Sequence, residues 1–157
     1  VQSIFRDLVV AIDVSEDGSR VVAVVGARVH VLNSRRFGRL CTGLKHFRRV
    51  SSDRKTGYLR SFAKKCFKLR EVLDVVRIVW SVNDVINILS IYRPALVVID
   101  DKLSRYINYE PKILESMPKP IYLDNLMTIA DNLANYFRIL LIKNPRKLRE
   151  ELRKFEK

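Results

Sequence analysis

Two runs rich in β-branched residues, LVVAIDVS (Leu8 to Ser15) and LVVIDDKL (Leu96 to Leu103), each drive an apolar stretch into aspartate. Valine and isoleucine are stiff at the first side-chain torsion and suit a pleated, half-buried surface. Ala95 to Ile99 is apolar throughout and too short for a helix, the pattern of an interior parallel strand covered on both faces. Such strands would place Asp13 and the pair Asp100-Asp101 at the ends of buried elements, where an unpaired charge is costly.

The rest of the pattern predicts an α/β fold with a mixed five-stranded sheet. Leu8 to Val14, Arg20 to Gly26 and Arg28 to Asn33 read as a three-stranded antiparallel meander, turning at Asp17-Gly18 and at Gly26-Ala27. From Tyr58 to Leu73 the apolar residues recur at three and four, which predicts a helix. Val75 to Trp80 fits either its continuation or a short strand. Ser81 caps a second helix that Pro94 ends, and Ile121 to Leu123 reads as a fifth strand. Asp124 or Asn125 can cap the helix LMTIADNLANYFRILLI, and Asn144-Pro145 opens a last amphipathic helix over about 145–156.

A hydrophobic share of 48% in 157 residues supports a single domain over 1–157 with a real core. No apolar run is long enough for a membrane span, and the N-terminus lacks a basic segment followed by an apolar one. Cys41 and Cys66 match no zinc spacing and read as packing residues in a reducing compartment. A soluble cytoplasmic protein is the expectation.

The charge is concentrated. Between Arg35 and Arg70 there are thirteen Lys or Arg and one acid, Asp53, so this stretch carries +12 of the net +13. A field of that density attracts a polyanion, because each cation that meets a phosphate releases condensed counterions. Residues 34–57 read as a long basic connection, mobile until a partner arrives. Arg35, Arg36, Arg39, Lys45, Arg48, Arg49, Arg54, Lys55, Arg60, Lys64 and Lys68 are the candidate nucleic-acid contacts, with Arg48, Arg49, Lys64 and Lys68 first among them. The ordinary alternatives are a solvated Lys/Arg-rich face, an anionic membrane surface or an acidic protein partner.

If the fourth strand lies beside the first, a right-handed crossover makes the pair parallel and both end at one edge of the sheet. Asp13 and Asp100, with Asp101 in reserve, then stand where open α/β sheets place ligands. Two close carboxylates repel, so Mg²⁺ or Mn²⁺ is the natural occupant, and a pair of such ions can promote phosphodiester hydrolysis. Asp131, flanked by Ala130 and Ala134 on a helix packing on the sheet, can aim at the same edge. Each acid also has a plainer reading: a turn start for Asp13, a solvated strand end for Asp100 and Asp101, a boundary residue for Asp131, and a helix cap for Asp124. His30 and His46 read as satisfied or surface histidines. Trp80, Tyr92 and Tyr122 read as core, while Tyr58, Phe37 and Phe47 could also stack on nucleobases.

These motifs resemble the RNase H-like superfamily, in particular its RuvC-like Holliday-junction resolvase branch. VVAIDVS resembles the first-strand motif with its metal-binding aspartate. INILSIYRPALVVIDD is similar to the helix, proline and fourth strand that deliver the second acid, and TIADNLANYF to the closing helical motif. The resemblance implies that Asp13 bridges two Mg²⁺ or Mn²⁺ ions while Asp100 and Asp131 complete their shells. YLDNLMT resembles the fifth-strand motif of YqgF-type proteins, which keeps Asp124 as a candidate ligand. The implied activity is a metal-dependent nuclease acting on structured DNA or RNA, as a dimer if the branch holds. The alternatives are an inactive nucleic-acid-binding adaptor of the same fold and an α/β protein that binds an acidic protein.

Overall fold

The computed structural model of the chain describes residues 7–157. The first six residues of the expected 1–157 domain lie outside that range.

A five-stranded sheet organises everything else. Strands β1 (Leu8–Ser15), β2 (Val21–Arg28), β3 (Val75–Val79), β4 (Leu96–Ile99) and β5 (Lys112–Leu114) lie in the order β3-β2-β1-β4-β5. β1 pairs antiparallel with β2, and β2 with β3; β1 pairs parallel with β4, and β4 with β5. Three antiparallel and two parallel strands are therefore present as expected, and Asp17-Gly18 makes the first turn, with Gly18 at φ 82°.

Two strands are not the ones the sequence suggested. Residues 29–32 form a short helix, α1 (Val29–Leu32), and the third antiparallel strand is β3, which resolves the ambiguous stretch at 75–80. Gly26 is not a turn. It sits within β2 opposite Val10 and Val75, where an added Cβ would lie 2.9 Å from Val10 Cγ2 and 3.0 Å from the Val9 carbonyl oxygen. The fifth strand is Lys112–Leu114, whereas Ile121–Leu123 begins a helix directly after Pro120, whose fixed φ suits a helix entry.

Both faces of the sheet are covered. Strand alternation sends Val9, Ala11, Ala23, Val25, Val76 and Val98 to one face. There they meet α6 (Ile121–Lys143), α3 (Lys55–Val72), α2 (Arg35–Leu40) and α7 (Leu148–Phe155). Leu8, Val10, Ile12, Val22, Val24, Val97 and Ile99 point to the other face, against α4 (Val82–Tyr92) and α5 (Asp101–Ser104). Ser81 caps α4 as expected, accepting from Asp84 N at 3.1 Å. Phe155 of α7 stacks on Phe67 and meets Phe137 edge-on, and Lys157 exchanges two backbone hydrogen bonds with Val76 that cover the edge of β3. Trp80, expected in the core, is 40% exposed.

The basic connection is ordered rather than loose. Ser34 caps α2 by accepting from Phe37 N, and 3₁₀ turns occupy Phe47–Arg49 and Ser52–Arg54. Phe37, Cys41, Phe47 and Val50, apolar residues three to six apart, are buried and anchor it. Burial of Phe37 and Phe47 removes both as base-stacking platforms. Cys41 and Cys66 are free, buried thiols pushed up to about 12 by desolvation, so they pack rather than react.

The crowding at Gly26 sets a test of the register between β1, β2 and β3. Gly26→Ala should destabilise the protein by about 1–3 kcal/mol through overpacking, read as a lower urea midpoint at unchanged slope. An unchanged midpoint would contradict this packing.

Candidate metal centre

The centre follows from strand register. Ile12 pairs with Ile99, and Ile99 with Leu114, so three residues line up across β1, β4 and β5. Because all three strands run parallel, the next residues also form a row: Asp13, Asp100 and Glu115. Each belongs to the alternation set of Val9 and Ala11, Val98, or Ile113, which faces α6. Neighbouring strands lie about 4.8 Å apart. One carboxylate oxygen from each acid lies within 4.8 Å of those of the other two.

Glu115 is the member that sequence reasoning missed. Its backbone N–H donates to the Ile99 carbonyl at 2.9 Å, which extends the β4 and β5 pairing by one residue. The signal was present in PKILE (Pro111 to Glu115), a short apolar pair running into an acid like VVAID and LVVID. Two apolar residues are too few to mark a strand.

Burial and like charge dominate the electrostatics. Asp13 is 4% exposed, and desolvation, followed by Glu115, Asp131 and Asp100, holds its carboxyl well above the usual range. Desolvation also raises Glu115 to about 7, reinforced by Asp100 and Asp131 and opposed by Arg48. Ion pairs among the described residues include none with Asp13, Asp100 or Glu115. Three crowded carboxylates without an ion-paired cation are the donor set that a hard, oxygen-preferring divalent ion takes, so the residues fit Mg²⁺ or Mn²⁺.

Asp131 stands beside this row, its charge acting on both Asp13 and Glu115, and its oxygens also accept hydrogen bonds from outside the row. Its Oδ2 accepts from Phe47 N at 2.7 Å, and its Oδ1 from Asn135 Nδ2 at 3.3 Å. The His46 ring sits between two carboxylates, Nδ1 3.9 Å from Asp131 Oδ2 and Nε2 3.9 Å from Asp124 Oδ1. Asn132 Nδ2 donates to the Lys45 carbonyl, and Tyr58 Oη exchanges two 2.9 Å hydrogen bonds with the Lys45 backbone. These contacts dock residues 45–47 onto α6 at the edge of the acid row.

The other expected site residues fall as follows. Asp100 Oδ2 caps α5, accepting from Lys102 N and Leu103 N. Asp101 lies outside the acid group; its Oδ1 accepts from Ser116 N at 3.1 Å, which tethers the residue after Glu115 and lowers its carboxyl pKa. Asp124 also lies outside it, within the first turn of α6 rather than at a cap. Arg60, Lys64 and Lys68 form an exposed stripe along α3, Arg48 is close enough to favour charged Glu115, and Arg36 is paired with Glu71 at 3.2 Å. Arg35 and Arg39 share α2 with Arg36; Lys45 and Arg49 belong to the docked segment, and Arg54 and Lys55 to the entry of α3.

No protein-family model matches this sequence, and no curated protein does. Among solved structures the chain is similar to the ribonuclease H2 from Pyrococcus horikoshii OT3, with a TM-score of 0.55 at 16% identity, over 89% of this chain and 76% of that one. The fold is RNase H-like. Among the described residues no helix is long and apolar enough to cross a membrane.

The raised carboxyls set a linked prediction. For Asp13 and Glu115 the folded protein binds protons more tightly than the unfolded chain, so their contribution is fully favourable below the unfolded pKa. It is lost as pH rises from about 4.5 to about 7 in the Glu115 case. Glu115 is partly open, and solvent screens some of the repulsion. Glu115→Gln should therefore stabilise the metal-free protein at pH 8 by about 1 kcal/mol, or roughly 2–4 °C in Tm. Mg²⁺ should raise the Tm of the parent protein more at pH 8 than at pH 5. Equal Tm for both proteins in chelator, with no response to Mg²⁺, would contradict the repulsion.

Proposed function

We propose that this chain is a metal-dependent nuclease that hydrolyses phosphodiester bonds in structured nucleic acid. The row of Asp13, Asp100 and Glu115 carries the reading, since all three carboxylates converge at the carboxyl edge of parallel strands. A bound Mg²⁺ or Mn²⁺ supplies Lewis-acid stabilisation of phosphate charge and makes water a better nucleophile.

The chain's own residues do the rest. Asp13, the most buried acid and the one influenced by all three others, anchors the cation from β1. Asp100 offers Oδ1, its Oδ2 being held by α5, and Glu115 closes the row from β5. Asp131 acts at one remove: it fixes Phe47, the neighbour of Arg48, whose charge favours ionised Glu115 and whose guanidinium is suited to meet the scissile phosphate. Arg49, Lys64 and Lys68 grip the flanking backbone through sequence-independent phosphate contacts.

Two substrate classes follow from the two likenesses. The RuvC-like motifs favour a four-way DNA junction cut by a dimer; similarity to a ribonuclease H2 favours an RNA strand. Free thiols at Cys41 and Cys66 suit a reducing cytoplasm.

The test uses labelled junction, duplex and structured RNA. Cutting should require Mg²⁺ or Mn²⁺. Asp13→Asn should lower the rate at least about 1,000-fold with binding retained. Asp131→Asn, which keeps an acceptor for Phe47 N, should cost roughly 10- to 100-fold, the range of residues that orient ligands. Binding without cutting in either metal would make the chain an adaptor. Failure to retain any nucleic acid in moderate salt would leave an acidic protein as the partner.

A further inference from the structure

Between the start of α3 and the end of α6 lies a cleft of about 540 Å³, away from the acid row. Its rim carries four cations, Lys55 and Arg60 from α3 and Arg138 and Lys143 from α6, and no acid lines it. Its floor is apolar, built from Leu59, Ala63, Ile139 and Leu140. Ion pairs among the described residues engage Arg20, Arg36, Arg77, Lys154 and the two histidines, and none of these four. Unneutralised cations above an apolar floor call for a ligand that is both anionic and flat.

Arg138 is held ready. Its Nε donates to Ser15 Oγ at 2.5 Å and its Nη1 to the Asp17 carbonyl at 2.9 Å, while Nη2 lies 3.3 Å from Asn135 Oδ1. All of these acceptors are neutral, so its positive charge is fixed in place without being cancelled. Asn135 in turn donates to Asp131, and Ser15 lies two residues beyond Asp13 on the same face of β1. Phe47, whose N–H bonds Asp131, also lines the cleft, with Lys55 Nζ 4.6 Å from its ring centre. Residues of both walls are thus hydrogen-bonded to the elements that carry Asp13 and Asp131.

We infer that this cleft binds a single-stranded segment of the nucleic acid, with phosphates on Lys55, Arg60, Arg138 and Lys143 and a base on the apolar floor. A duplex keeps its bases stacked and can offer only phosphates, whereas an unpaired strand can lay a base face into a recess. A volume within the range of about 300–1,000 Å³ typical of small-ligand pockets suits one nucleotide unit rather than a helix. The inference rests on nucleic acid being the substrate, and it does not depend on cleavage.

Fluorescence anisotropy in chelator, where nothing is cut, tests it with a labelled single strand, a blunt duplex and an abasic single strand of equal length. The single strand should bind tightest, and removing its bases should weaken it by about fivefold or more, as loss of one base contact worth about 1 kcal/mol predicts. Replacing Arg60→Gln and Lys143→Gln, both exposed, should lower the slope of log affinity on log salt by about 1.4 for the single strand. The same charge removed at Arg149 and Arg153 on α7 should leave that slope unchanged. If the Arg60 and Lys143 pair behaves like the α7 pair while nucleic acid is still bound, or if the abasic strand binds as well as the parent, the cleft assignment falls and the nuclease reading stands. If no nucleic acid is bound at all, both fall.

Discussion

The register that aligns Ile12, Ile99 and Leu114 across three parallel strands is the constraint from which the rest of this molecule follows. One residue further on, the same alignment forces Asp13, Asp100 and Glu115 together on the face that α6 covers. Two unit charges at 4.8 Å repel by on the order of 3 kcal/mol even at an effective dielectric of about 20. Set against a total stability of about 5–15 kcal/mol, three such charges cannot stay unneutralised without consequence. Asp13 and Glu115 respond by holding protons, Glu115 up to about pH 7, or the row gains a cation. A one-residue slip of either parallel pairing would send an acid to the opposite face and dissolve the centre.

The basic segment is built onto this centre rather than left beside it. Asp131, Asn132, Asp124 and Tyr58 hold Lys45, His46 and Phe47 against α6, while Phe37 and Phe47 are sunk in the core. The field of Arg48 therefore reaches Glu115 through a fixed scaffold. Acid row and cationic flank are opposite in sign, and the segment between them is held by hydrogen bonds: the Asp131 carboxylate on a backbone amide, the Asn132 amide and the Tyr58 hydroxyl. The part-buried Asp131 bond is screened by salt less than an exposed charge pair.

Much of the fold was legible because apolar patterning is a local signal. The runs ending at Asp13 and Asp100, the cap at Ser81 and the helix through Asp131 all come from residues adjacent in the chain. What escaped was non-local. Val29 to Leu32 has the composition of a strand, yet the free edge of β2 is taken by Val75–Val79, and the segment turns helical instead. Ile121 to Leu123 likewise became the first turn of α6. Glu115 was invisible because its strand has three residues and is defined by pairing with β4 rather than by its own pattern. For the site, Asp13 and Asp100 could be read from strand ends, but the backbone amide that engages Asp131 comes from a residue 84 positions away.

The most direct measurement is a crystal soaked in Mn²⁺ at pH 8 and recorded at the manganese absorption edge. Anomalous density should appear between the carboxylates of Asp13, Asp100 and Glu115, and should vanish in Asp13→Asn. Ordered crystals with these three side chains in place and no manganese among them would contradict the account.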